Sequence, residues 1–101
     1  MRTPVTLSTG RDTDGRLVVS ATGELDMSNI DTFNRALTDA LTQANGSSVE
    51  VDLRGVEYLD SGAINVLFPY ADRVHLVANR ILMPVLKVCG LTDVMSIEPA
   101  G

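Results

Sequence analysis

Val49-Glu50-Val51-Asp52-Leu53-Arg54-Gly55-Val56-Glu57-Tyr58-Leu59-Asp60-Ser61-Gly62-Ala63-Ile64-Asn65-Val66-Leu67 is the stretch from which the fold can be read. Val49, Val51 and Leu53 alternate with Glu50 and Asp52, the period of a strand with one buried face. Gly55 interrupts, and a second apolar run, Val56, Tyr58 and Leu59, leads into Asp60-Ser61-Gly62. Beyond it Ile64, Leu67 and Phe68 recur at helical spacing. A strand therefore ends in a tight turn, and a helix begins at or beside a serine. Ser61 is placed as the N-cap, its hydroxyl accepting a bond from a free backbone N–H of the first turn. That end of a helix also favours negative charge. Ser61 reads either as a structural cap or as a site that carries a phosphate.

Upstream of this stretch, Pro4 to Ser8 reads as a short strand, with Val5 and Leu7 facing one way. Asp14-Gly15 is a strong hairpin signal, so Arg16 to Thr22 is the returning strand. Gly23-Glu24-Leu25-Asp26 reads as a turn, with Ser28 or Asn29 available to cap a helix. Ile30, Phe33, Leu37 and Leu41 form the apolar stripe of that helix. Asn45-Gly46 ends it by the left-handed route that Asn and Gly take at little cost.

Downstream, the helix after Ser61 must be short, because Pro69 inside it would cost about 3 kcal/mol. Arg73 to Ala78 is a further strand, with Val74 and Leu76 on one face and His75 and Val77 on the other. Asn79 to Cys89 fits a last helix, apolar at Ile81, Leu82, Val85 and Val88, kinked or started by Pro84 and stopped by Gly90. Val94 to Ile97 can form a final strand. The order β-β-α-β-α-β-α-β specifies an α/β domain, a mixed sheet with amphipathic helices packed on it. One domain is expected over residues 1–101, its core running roughly from residue 5 to 97.

Composition bounds the partners. Hydrophobic residues make up 45% of the chain against 21% charged, which is ordinary for a globular domain. No apolar run reaches the ~20 residues of a membrane span, and no apolar signal region follows Met1. The single cysteine, Cys89, excludes an internal disulfide and suits a reducing cytoplasm. A net charge of −5 without a Lys/Arg cluster argues against nucleic acid. The expected partner is a protein or a small ligand.

Few residues could carry chemistry. His75 and Cys89 are far apart in sequence, so a half-buried strand histidine and a small core thiol are the expected readings. Paired His or Cys metal ligands are absent, as are a G-x-G-x-x-G run and a P-loop; neither a cofactor nor a metal is expected. Asp26 and Asp60 stand out among the carboxylates, because each ends a strand-to-helix connection. Such ends lie along one rim of the sheet, where ligands usually bind. Turn or capping aspartates would show the same pattern.

Asp52-Leu53-x-Gly55-Val56-x-Tyr58-Leu59-Asp60-Ser61-x-Ala63-Ile64 resembles the signature of the STAS domain, whose members include the bacterial anti-sigma factor antagonists. Gly23-Glu24-Leu25-Asp26 resembles the family's first turn and Cys89-Gly90-Leu91 its closing helix end, so the resemblance covers roughly Val5 to Ile97. It implies a non-enzymatic switch. The unphosphorylated antagonist binds an anti-sigma factor that is also a serine kinase of the histidine-kinase ATPase fold, and this frees the sigma factor. Phosphorylation of Ser61 ends binding, and a metal-dependent phosphatase restores it. By the same resemblance Asp26, Asp60, Ser61, Gly62, Ala63 and Asn65 form the partner-binding surface. In its helix, Ile64, Leu67 and Phe68 are expected in the core, with Gly62, Ala63, Asn65 and Val66 as the exposed strip. The chain departs from the family pattern in having Gly62-Ala63 after the serine and only residues 62–73 before the next strand. The alternative reading is a STAS ligand-binding or scaffold module in a signalling or lipid-transport complex.

Overall fold

The computed structural model describes residues 5–100. Five strands form one sheet in sequence order: β1 (Thr6–Arg11), β2 (Leu17–Leu25), β3 (Val49–Leu59), β4 (Val74–Ala78) and β5 (Ser96–Pro99). Helices α1 (Ile30–Ala44), α2 (Ser61–Leu67) and α3 (Met83–Val88) connect them. β1 and β2 are antiparallel; β2, β3, β4 and β5 are parallel neighbours. This is the expected element order and the expected mixed sheet.

Three successive crossovers step in one direction, and the right-handed rule then places all three helices on the same face of the sheet. Burial follows that geometry. Val19, Val51 and Leu76 are buried, whereas their neighbours Ser20, Asp52 and Val77 are not. On the uncovered face Asp52 is held below the usual carboxylate range by hydrogen bonds from the Arg54 side chain, the shortest 2.7 Å. Phe33, Leu37, Ala40 and Leu41 seat α1 on the covered face, as the stripe predicts. Asn45, at φ 52° and ψ 51°, ends the helix in the left-handed conformation. Gly90, at φ 85°, follows α3 in the same way.

Several boundaries differ from the sequence reading. β1 runs from Thr6 to Arg11 rather than from Pro4, which lies outside the described residues. The expected turn at Gly23–Asp26 is the end of β2, which continues through Leu25. The final strand begins at Ser96, because Leu91–Asp93 forms a 3₁₀ turn first. The last helix divides at its proline: Arg80–Leu82 is 3₁₀, and α3 starts with Pro84 in its first turn. Leu82 and Leu86 face the core, while Ile81, Val85 and Val88 are exposed.

Gly55 does not break β3, which is an uninterrupted eleven-residue strand. Its ladder with β2 shifts register on either side of the Thr22–Gly55 pair, and that irregularity absorbs the glycine. A Cβ on Gly55 would stand 2.6 Å from Thr22 Cγ2 and 3.1 Å from Thr22 Cβ. Gly55→Ala is therefore expected to cost about 1–3 kcal/mol through overpacking. Thr22→Ser, which deletes the offending methyl, should recover most of it in the double variant. Urea denaturation of the four proteins in the cycle measures this; equal losses with and without the methyl would refute the contact.

Candidate functional site

β2 and β3 project together past the end of β4, since β4 reaches only Val49–Leu53 of β3. Their ends form a rim. Leu25 pairs with Leu59, and the Asp60 N–H donates to Leu25 O at 3.1 Å, so Asp26 and Asp60 leave adjacent strand ends. Glu24, Asp26, Met27, Tyr58 and Asp60 line one cleft there. The two aspartates singled out by their position in the chain are thus brought together.

They do different things. Asp26 is 6% exposed and organises the β2–α1 turn. Its Oδ1 accepts the Ser28 N–H and the Ser28 hydroxyl. Its own N–H donates to Asn29 Oδ1, and Asn29 Nδ2 donates to Glu24 O at 2.8 Å. Asn29 is the residue before α1, but its side chain holds the turn rather than capping the helix. Because Asn retains an acceptor oxygen, Asp26→Asn is expected to keep these bonds and to lower stability by less than about 1 kcal/mol, whereas Asp26→Ala removes the acceptor of both Ser28 bonds, at about 0.5–1.5 kcal/mol each. Thermal melts of both variants decide it; a large loss in the Asn variant would mean that the charge itself is required.

Asp60, not Ser61, is the N-cap of α2. With φ −100° and ψ −179° its backbone is extended, and its Oδ1 accepts from Gly62 N at 3.0 Å and Ala63 N at 3.2 Å. This corrects the cap assignment by one residue. Ser61 becomes the first helical residue, exposed, and its hydroxyl makes no hydrogen bond among the described residues. Asn65 lies one turn further along the same side and is also exposed. Gly62 is half-buried. Ala63 is fully buried, so it does not belong to the exposed strip expected of it, and Phe68, expected in the core, is 36% exposed. The seven-residue α2 carries no charged side chain and passes at once into the 3₁₀ turn Phe68–Tyr70 around Pro69.

Met27, 84% exposed, and Tyr58, 50% exposed, are rim residues that the sequence reading did not single out. An apolar side chain within an otherwise polar turn, Asp26-Met27-Ser28, was the available signal for the first. The structure also pairs His75 with Ser96, Nδ1 to Oγ at 2.8 Å, on the uncovered sheet face. Glu98 lies 3.9 Å from the other ring nitrogen, beyond hydrogen bonding. Cys89 is turned elsewhere and donates to Leu86 O. Among the described residues no cluster of His, Cys, Asp and Glu could hold a metal ion, and no helix is long and apolar enough to cross a membrane.

A family model described as "Mlab, STAS domain" matches residues 8–93. The chain belongs to the STAS domain family. Solved structures agree on the fold of this STAS domain. An anti-sigma factor antagonist from Mycobacterium paratuberculosis superposes with a TM-score of 0.85 at 23% identity, over 96% of this chain and 87% of that one. The antagonist SpoIIAA in its unphosphorylated form gives 0.74 at 14% identity, over 95% and 89%. The Bacillus cell fate determinant SpoIIAA in its phosphorylated form gives 0.67 at 14%, over 95% and 92%. At these identities the likeness concerns the fold. No curated protein matches the sequence of this STAS domain.

Proposed function

We propose that this STAS domain is an anti-sigma factor antagonist that binds an anti-sigma kinase through the Asp60–Ser61 rim and is released by phosphorylation of Ser61. The observation that carries the reading is the exposed Ser61 hydroxyl at the first position of α2, without a hydrogen bond to any described residue and beside a carboxylate that already occupies the helix end. Solved structures of similar fold include an antagonist in both unphosphorylated and phosphorylated forms. In the proposed step Ser61 Oγ attacks the γ-phosphoryl of ATP held by the kinase, loses its proton, and ADP leaves. A metal-dependent phosphatase would reverse the modification.

The local electrostatics make such a mark effective. A serine phosphate brings a charge of about −1.5 to −2. The N–H groups of Gly62 and Ala63 that would receive it are already taken by Asp60. The phosphate therefore stands beside Asp60 or displaces it, and in both cases new charge projects toward the partner. Repulsion follows without rearrangement of the sheet.

Incubation with candidate kinases and ATP, read by mass, tests the assignment. One added phosphate is expected on the native chain and none on Ser61→Ala. Ser61→Ala should bind the anti-sigma partner constitutively and Ser61→Asp weakly. Stoichiometric phosphorylation of Ser61→Ala would end the proposal. Asn65→Arg tests the docking surface: a bulky cation one turn from Ser61 should weaken binding at least tenfold, about 1.4 kcal/mol. Its stability should change by less than about 0.5 kcal/mol, because Asn65 is exposed. Unchanged affinity in a calorimetric titration would move the interface elsewhere.

The matching family model is described as a STAS domain and not as an antagonist, which fits equally a second reading, a ligand-binding or scaffold module in a signalling or lipid-transport complex. In that case the rim is a fixed contact, and Ser61→Ala and the native chain bind alike with no phosphate transferred.

A further inference from the structure

The two edges of the sheet are treated differently. β5 is four residues long and carries Glu98 and Pro99, features that discourage pairing with another strand. β1 is six residues long, uncharged from Thr6 to Gly10, and exposed at every position except Leu7. Its outer side offers backbone groups. The Asp12 N–H donates to Arg16 O at 3.0 Å. Alternation along an antiparallel ladder then turns Thr6, Ser8 and Gly10 toward β2, leaving the N–H and C=O groups of Leu7, Thr9 and Arg11 facing outward.

Beside this edge runs a groove of about 370 Å³ between β1 and α1, lined by Leu7, Thr9, Arg35, Ala36, Asp39 and Ala40. Leu7, Ala36 and Ala40 give it apolar surface, and Ser8, Thr32 and Gln43 add polar groups to its wall. Arg35 and Asp39 are exposed, and neither forms an ion pair with a described residue. α1 crosses between the parallel strands β2 and β3, and so runs opposite to β2 and in the same direction as β1. A two-fold axis that makes β1 antiparallel to a second β1 therefore makes the two copies of α1 antiparallel as well. About the midpoint of residues 35 and 39, Arg35 of one copy then faces Asp39 of the other, once on each side of the axis.

We propose that this edge is a homodimer interface: β1 pairs with β1 of a second copy, and the two α1 helices close over it through reciprocal Arg35–Asp39 contacts. The occupant is a second copy because the charge pattern complements itself under two-fold symmetry, as an isologous contact requires. The surface lies at the sheet edge, apart from the Asp60–Ser61 rim, and does not depend on the function proposed for that rim.

Sedimentation equilibrium of the full chain over a concentration series tests it. A reversible monomer–dimer equilibrium is expected, weakened by salt. Arg35→Glu and Asp39→Arg should each weaken association at least tenfold, since each sets like charges face to face. The double variant, Arg35→Glu with Asp39→Arg, should regain association to within a few fold, which a general loss of structure could not do. Thr9→Pro, which deletes an outward N–H without touching the bonds to β2, should also weaken it. A chain monomeric at every concentration, single reversals without effect, or a double reversal as weak as the singles would each overturn the proposal. Circular dichroism melts of all variants verify that each is folded.

Discussion

Replacing Phe33 with alanine is expected to lower the unfolding free energy by about 3–5 kcal/mol. Phe33 heads the fully buried side chains ranked by size and sits in the first turn of α1, directly after the turn that Asp26 holds. Removing its ring deletes apolar surface from the middle of the helix–sheet layer and leaves a cavity that packed neighbours fill only in part. A domain of this size has about 5–15 kcal/mol in total, so the variant should be folded but close to its limit at physiological temperature. Phe33→Leu keeps most of the volume and should cost less than half as much. Urea midpoints at constant slope give both numbers. A loss below about 1 kcal/mol for Phe33→Ala would mean that α1 is not anchored where its stripe places it.

The second large effect is expected at Leu67, where Leu67→Ala should cost about 2–5 kcal/mol and should disturb the rim more than its distance from Ser61 would imply. α2 has seven residues, far too few to persist as an isolated helix. Ala63, Ile64 and Leu67 are its buried contacts, and Leu67 is the largest of these that is fully buried. Truncating it removes the anchor at the end opposite Asp60, so the helix should open locally before the sheet unfolds. Hydrogen exchange at the Ile64 and Phe68 amides should accelerate well beyond that in β3. The proposed phosphorylation of Ser61 and the proposed partner binding should weaken with it, because the first turn is no longer held in place. Uniformly faster exchange across the whole chain would instead show that α2 and the sheet unfold as one unit.

Part of this protein was decided by local sequence alone. The α1 stripe of Phe33, Leu37 and Leu41, the Asp14-Gly15 hairpin, the left-handed ends at Asn45 and Gly90, and the short helix before Pro69 all lie where the chain pattern places them. Each rests on a property of one residue or one short period: the φ range of Gly and Asn, the missing N–H of Pro, the 3.6-residue turn. The α/β order and the strand-to-helix turn at Asp60-Ser61 follow from the same local rules.

Tertiary structure decided the rest. Whether Asp60 or Ser61 caps α2 depends on which backbone leaves β3 extended, and that is set by the bond from Asp60 N to Leu25 on the neighbouring strand. Gly55 breaks nothing because β3 takes up an extra residue against β2 on either side of it, an irregularity set by the pairing of the two strands. Ala63 is buried because it lies one turn before Leu67 on the face of α2 that the sheet covers, and Phe68 is half exposed because α2 gives way there to a 3₁₀ turn, which changes the angle between successive side chains. In the apolar stretch from Ile81 to Val88 two stripes compete. The 3₁₀ segment before Met83 turns Leu82 and Leu86 inward and leaves Ile81, Val85 and Val88 in solvent. Periodicity names the faces of a helix, but only the surface it packs against selects which one is buried.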